Sequence, residues 1–452
     1  MKSSTPKVLQ PLLGRPMLLR SLSAVLALEP REVVIVTGRG ADEVRESVGQ
    51  SEFDGRAVFA TQEEQLGTGD AVAAAKGHLT PLIESGEIDS VLVAYGDNPL
   101  ITSETLSRLV QKRADDSALA SILTVIAEDN SGYGRILRSD NGGLLRIVEE
   151  KDASDDEKEI AEINTGNYCF DARALFPALA RLSPANEQGE YYLTDVAGDM
   201  ISRGKEVAVV ETDDELEAVG IDSRDKLAVV TARLRDRINL RWMQEGVHIF
   251  DPHTTWIEPE VELESDVTIL PGTMIKGRTT IAAGCVIGPH TLVSDCSIDE
   301  GARAEFSVLR DSTIGQGAQL GPYCSLRAGT VVGPGAKIGT FVETKNTSLG
   351  ENSKIPHLSY FGDAEVGEDV NVGAGSITCN FDGVAKHKTI LKDGVFIGSD
   401  TMLVAPVTLA EGAVTGAGSV VRQDVPAGDV VVGVPAQHLK SRGESSDPDS
   451  DD

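Results

Sequence analysis

Two different spacings of apolar residues divide this chain. In the first half, short β-rich runs alternate with helical ones. Val33-Val34-Ile35-Val36 and Val91-Leu92-Val93-Ala94-Tyr95 read as buried strands ending at Gly or Asp, and residues 66–79 between them read as a helix. Nearer the start, Leu18, Leu19, Leu22, Val25 and Leu26 stand at helical spacing, with Arg15 and Arg20 interrupting the apolar run, so this stretch reads as a helix rather than a secretory leader. Such alternation predicts an α/β fold with a mostly parallel sheet, in which ligands sit just beyond the carboxyl ends of strands. Residues 224–245 read as one long basic helix joining the halves.

Beyond that helix the period becomes six. Ile314, Leu320, Leu326, Val332 and Ile338 follow one another at this spacing, as do Ile397, Leu403, Leu409, Thr415 and Val421. Neither a helix nor a half-buried strand repeats every six residues. A coil of three short strands does, with one aliphatic side chain turned inward on each side. The pattern predicts a left-handed parallel β-helix of hexapeptide repeats. Its register breaks at residues 378–393, a polar loop containing Asn380-Phe381-Asp382-Gly383, and loops ejected from a regular solenoid concentrate function.

Composition narrows the chemistry. A formal net charge of −30 excludes a nucleic-acid or anionic-membrane surface, so any phosphate must be held by a few locally placed cations. Five scattered cysteines show no metal-ligand spacing, which fits a reducing cytoplasm without structural zinc. His357 is one of only seven histidines and lies beside the broken register. An amine acceptor must lose a proton before it attacks a thioester, and a histidine is the natural base.

The stretch from His357-Leu358-Ser359-Tyr360 through Asn371-Val372-Gly373-Ala374-Gly375 to Thr378-Cys379-Asn380-Phe381-Asp382-Gly383 resembles the acetyltransferase half of a bifunctional bacterial family. That family joins N-acetylglucosamine-1-phosphate uridylyltransferase to glucosamine-1-phosphate N-acetyltransferase. The resemblance runs from about Thr5 to Val431. It implies a Rossmann-like α/β nucleotidyltransferase domain at 1–222, a linker helix at 223–245 and a β-helix acetyltransferase domain at 246–437, while acidic, apolar-poor composition marks 438–452 as a disordered tail.

It implies His357 as general base, Arg327 and Lys345 on the sugar phosphate, and Tyr360 and Asn371 on the sugar. Ala374, Asn380, Phe381, Ser399 and Ala417 would line the acetyl-CoA groove. In the first half it places Lys7 near the phosphates, and Gln62, Gly67 and Thr68 on the uracil. Tyr95-Gly96-Asp97 would follow a buried strand in the UTP site, and Gly134, Glu149 and Asn164 would hold N-acetylglucosamine. Asp97 and Asp222 are the implied Mg²⁺ ligands, because transfer between phosphates requires a divalent cation. Glucosamine 1-phosphate, N-acetylglucosamine 1-phosphate, acetyl-CoA and UTP are the implied small-molecule substrates, and a homotrimer the implied assembly.

One departure affects the second reaction. The family opens with a strand and a loop of the form Leu-Ala-Ala-Gly-x-Gly-Thr-Arg-Met, whose amides cradle the nucleotide, and Met1 aligns with its closing Met. Either Met1 is internal to a longer protein, or the loop is lost and uridylyl transfer is weak or absent. The readings left open are a bifunctional enzyme, an acetyltransferase alone, and a non-catalytic trimeric scaffold or nucleotide sensor.

Overall fold

The computed structural model describes residues 1–38 and 40–441. The chain forms two compact units, Met1–Ala232 and Arg233–Asp452, divided within the helix Arg224–Gln244. Among the described residues no helix is long and apolar enough to cross a membrane.

In the first unit, the helix Met17–Leu26 buries Leu18, Leu19, Leu22 and Leu26 as their spacing predicts. The strands Val34–Thr37 and Ser90–Val93 also fall where the apolar runs place them. The single helix expected at 66–79 is instead two, Thr68–Ala74 and Lys76–Ser85. They part where the Ala75 amide bonds Val72, three residues back, and tightens the turn.

The mostly parallel sheet is a larger correction. The main sheet has six strands, and among its pairings only Val207–Thr212 with Ala120–Ile126 is parallel. Its centre is the ten-residue strand Glu162–Asp171, antiparallel to Ser90–Val93 on one side and to Ala120–Ile126 on the other. Val34–Thr37 pairs in parallel with Val58–Thr61 as a separate two-stranded sheet. Ile122, Tyr168, Phe170, Leu175 and Val196 form the heart of the core.

The second unit is a parallel β-solenoid in which short strands of one coil pair with those of the next. Trp256, Met274, Leu292, Val308, Ser325, Glu343, Tyr360, Ile377, Met402 and Val420 are partners in succession up one face. The next residue in each strand points the other way, and Ile275, Val293, Leu309, Leu326 and Phe361 are accordingly fully buried. The ten six-spaced residues read from the sequence are all buried inside the coil. At one corner His290, Phe306, Tyr323 and Phe341 form a ladder of rings with centroids 5.5–5.7 Å apart, the first two pairs tilted and the last stacked. Residues 438–441 depart from the expected disordered tail. They continue a strand, Gln437–Ser441, that pairs antiparallel with Asp429–Val432. Backbone pairing there needs no apolar side chain, and the His438 ring lies 3.2 Å from the Asp429 carboxylate. The rest of that tail, 442–452, lies outside the described residues.

Candidate active sites in the two units

In the second unit, consecutive coils place the site residues by stacking. His357 ends the strand Lys354–His357, which pairs with Lys337–Thr340. Its ring is exposed and has no hydrogen-bond partner among the described residues, while its carbonyl accepts from the Gly375 amide. Ala374, Ser399 and Ala417 form a column on three successive coils, joined by the bonds Asp400 N–H to Ala374 O and Gly418 N–H to Ser399 O. Stacked beneath it are Gly373 and Gly398, where a side chain would strike the backbone of the following coil.

Tyr360 lies above Glu343 in the rung register, and Glu343 pairs with Arg327 at 2.8 Å. Gly362 is the floor of this region. A Cβ there would sit 2.4 Å from the Tyr360 hydroxyl and 2.7 Å from Asn380 Nδ2, so the bare backbone brings these two side chains together. Lys345 pairs across the same strands with Gly362. Its ammonium is held below the usual lysine range, chiefly by Lys386 beside it and then by Arg327. Three cations thus gather, with Glu343 and Asp363 beside them, on a chain of net charge −30, an arrangement that could hold an anion.

Lys386 was not expected from the sequence. It belongs to the ejected loop and bridges back to Phe381. The spacing of basic residues gave no signal for it, because the loop has no repeat. Asn371 pairs with Lys354 below and Phe396 above. Phe381 is largely exposed and contributes surface rather than packing.

In the first unit, Gly134, Glu149 and Asn164 come together. A Cβ on Gly134 would meet the Glu149 carboxylate at 3.5 Å and Asn164 at 3.6 Å, and the Asn164 amide donates to Gly134 O. Asn164 also donates to the Tyr168 hydroxyl. Burial, with the nearby Asp195 and Asp152 charges, raises the Glu149 carboxyl against the opposing bond from Thr194. Burial, then the Glu149 charge, likewise raises the Tyr95 phenol. Thr68 accepts from the Leu193 amide. Gln62 is turned inward, its amide donating to Gly67 O and to Asp70, so in this conformation it does not present itself to a base.

Asp97 follows Gly96, which packs on Leu18, and the Asp97 carbonyl accepts from the Ile221 amide. That bond holds the backbone next to Asp222 against Asp97. Each carboxylate is paired with a lysine, Asp97 with Lys7 and Asp222 with Lys226. Mg²⁺ requires one or two carboxylates plus substrate oxygens, and this pair fits that demand. No group of three or more acidic, His or Cys residues suited to a metal occurs among the described residues.

Fold and sites together define a two-domain transferase, a nucleotidyltransferase unit followed by a hexapeptide left-handed β-helix. The nucleotidyl transferase family model matches residues 2–247, and the bacterial transferase hexapeptide model, of six repeats, matches 311–346. Bifunctional protein GlmU of Heliobacterium modesticaldum is 46% identical over 432 residues, covering 96% of this chain and 92% of that protein. The namesake of Desulfitobacterium hafniense DCB-2 is 46% identical with 96% and 93% covered, and that of Paenarthrobacter aurescens 44% identical with 97% and 87%. The chain belongs to the bifunctional GlmU family.

Proposed function

We propose that this chain makes UDP-N-acetylglucosamine in two steps. Glucosamine 1-phosphate is acetylated by acetyl-CoA in the β-helix, and a phosphate oxygen of the product then attacks the α-phosphorus of UTP, expelling pyrophosphate. The observation that carries the reading is the Arg327–Lys345–Lys386 cluster beside Tyr360 and Asn380, on the coils that also bear His357. The cations hold the sugar phosphate. His357, exposed and without a ring partner among the described residues, removes a proton from the acceptor ammonium, and the amine then attacks the thioester carbonyl. The thiolate of CoA leaves and is reprotonated.

In the first unit, Gly134, Glu149 and Asn164 orient the sugar, and Lys7 meets phosphate once released from Asp97. Asp97 and Asp222 would hold Mg²⁺, which neutralises charge between the reacting phosphates when bound. Homotrimer formation is supported by the outward column described above. Eight of its ten residues, from Trp256 to Val420, are apolar or aromatic, and only a partner with the same coil spacing matches it rung for rung. Five free cysteines favour a cytoplasmic setting.

The test measures thiol release from acetyl-CoA with glucosamine 1-phosphate, and pyrophosphate release from UTP with N-acetylglucosamine 1-phosphate. Both are expected, with EDTA abolishing only the second and His357→Ala only the first. Thiol release without pyrophosphate release would leave an acetyltransferase alone. Absence of both, with trimers intact, would leave the scaffold reading.

A further inference from the structure

Asp363 occupies a corner column of the solenoid in which Gly277, Asp295, Asp311, Gly329 and Asn346 precede it, all with positive φ. Glycine, Asn and Asp tolerate that conformation, and this alone would explain an aspartate at the position. Asp363 differs from the other acidic members of the column in what its carboxylate touches. Oδ1 accepts from Asn346 Nδ2 at 2.7 Å on one coil, and Oδ2 accepts from Asn380 Nδ2 at 2.6 Å on another.

The second bond decides the orientation of Asn380. A carboxylate only accepts, so the amide must turn its nitrogen toward Asp363 and its oxygen away. Asn380 is 8% exposed, and its Oδ1 has no protein donor among the described residues. The same nitrogen lies beside the Tyr360 hydroxyl over Gly362. Burial raises the Asp363 carboxyl, but the bonds from Asn346 and Asn380 and the charges of Lys386 and Lys345 outweigh it, keeping the group ionised. It is therefore the anion facing Lys386 and Lys345, as Glu343 faces Arg327, as well as the acceptor for both amides.

We propose that Asp363 is a positioning residue for acetyl transfer, locking the Asn380 amide in one of its two orientations so that Oδ1 is presented to a donor on the bound substrates. The proposal rests on the acetyltransferase reading. Asp363→Asn preserves shape but sets an amide against two amide donors, so Asn380 loses its fixed orientation. Asp363→Gly removes the carboxylate while suiting the backbone, as Gly277 and Gly329 do in the same column.

The experiment uses the full chain, following thiol release against glucosamine 1-phosphate concentration at saturating acetyl-CoA. Both variants are expected to lower kcat by about 10- to 100-fold, the worth of a hydrogen bond to a charged group, with KM within about threefold of the parent. Asp311→Asn, in the same column but outside the site, is expected to match the parent. In an Asn380→Ala background, Asp363→Asn is expected to change kcat by less than about threefold, because its effect runs through the amide it orients. Parental kcat in both Asp363 variants overturns the proposal alone, as does an undiminished effect of Asp363→Asn in the Asn380→Ala background. No thiol release by the parent chain overturns the acetyltransferase reading and this proposal with it.

Discussion

Gly362→Ala separates catalysis from folding more sharply than removal of a polar side chain. The added methyl would lie 2.4 Å from the Tyr360 hydroxyl, 2.8 Å from its Cζ and 2.7 Å from Asn380 Nδ2. Ordinary contact begins at 3.4 Å, so the hydroxyl must retreat by about 1 Å. Gly362 has no positive φ, and its neighbours here are the ends of side chains, so the backbone can stay in place. The stability change is expected near the low end for overpacking, about 1 kcal/mol, or about 2–4 °C in melting temperature for a unit of this size. The effect on rate is expected to be far larger, because a 1 Å misplacement of a positioning group costs about 100-fold. Thiol release at varied glucosamine 1-phosphate, alongside a melting curve, checks both. Gly373→Ala is the contrasting case: its methyl would meet the rigid backbone of the next coil, 2.4 Å from the Ser399 nitrogen. It is expected to lose about 3 kcal/mol or more of stability. A fully active Gly362→Ala chain would refute the idea that this bare backbone joins Tyr360 and Asn380 into one site.

Two further outcomes follow from charges. Since Lys386 and Arg327 lower the Lys345 ammonium, Lys386→Gln should move the alkaline rise of KM for glucosamine 1-phosphate to higher pH, as removing a like charge restores the protonated form; a pH profile of KM unchanged in position would show that the two lysines do not interact. Glu217, 3% exposed, accepts from the Thr102 amide and from the hydroxyls of Thr102, Thr105 and Thr212. Glu217→Ala should therefore cost about 3 kcal/mol or more in urea unfolding by stranding several buried donors, whereas Glu217→Gln, which keeps an acceptor, should cost less.

The β-helix was legible because its period is imposed by stacking: Ile314, Leu320, Leu326, Val332 and Ile338 must all point inward or the coil has no core. The main sheet was not. Its central strand Glu162–Asp171 carries Asn164, Thr165 and Asn167, all buried, and so does not read as an apolar run. They are tolerated because Asn164 bonds Tyr168 farther along the same strand and Thr165 bonds the Leu123 carbonyl of the neighbouring strand, a partner that exists only once the strands have paired. Of the residues assigned to acetyl transfer, His357 was named first from its rarity and its place beside the broken register, and Tyr360 and Asn380 from motif resemblance, whereas Asp363 was not named. A signal for it was present. Asn346, Asp363 and Asn380 are spaced by 17 residues, the same step as Glu343 to Tyr360 to Ile377 in the rung register. Spacing by coil length, rather than by six, would have made them neighbours. Lys386 lies in the one segment without a repeat, and no periodicity could reach it.

That segment also shows how the solenoid accommodates change. Most partners on successive coils are 16 to 18 residues apart, as in Met274, Leu292, Val308 and Ser325. Across the ejected loop the step is 25, at Ala364 to Thr389, Asn371 to Phe396 and Ile377 to Met402 alike, and at Phe396 to Val414 it is 18 again. The insertion adds seven to nine residues to the contour and nothing to the phase. A loop whose ends return to the same rung can lengthen, shorten or exchange its tip while every coil above keeps its alignment. The surface presented by Phe381 to His387 is thereby free to drift on a scaffold that does not register the difference.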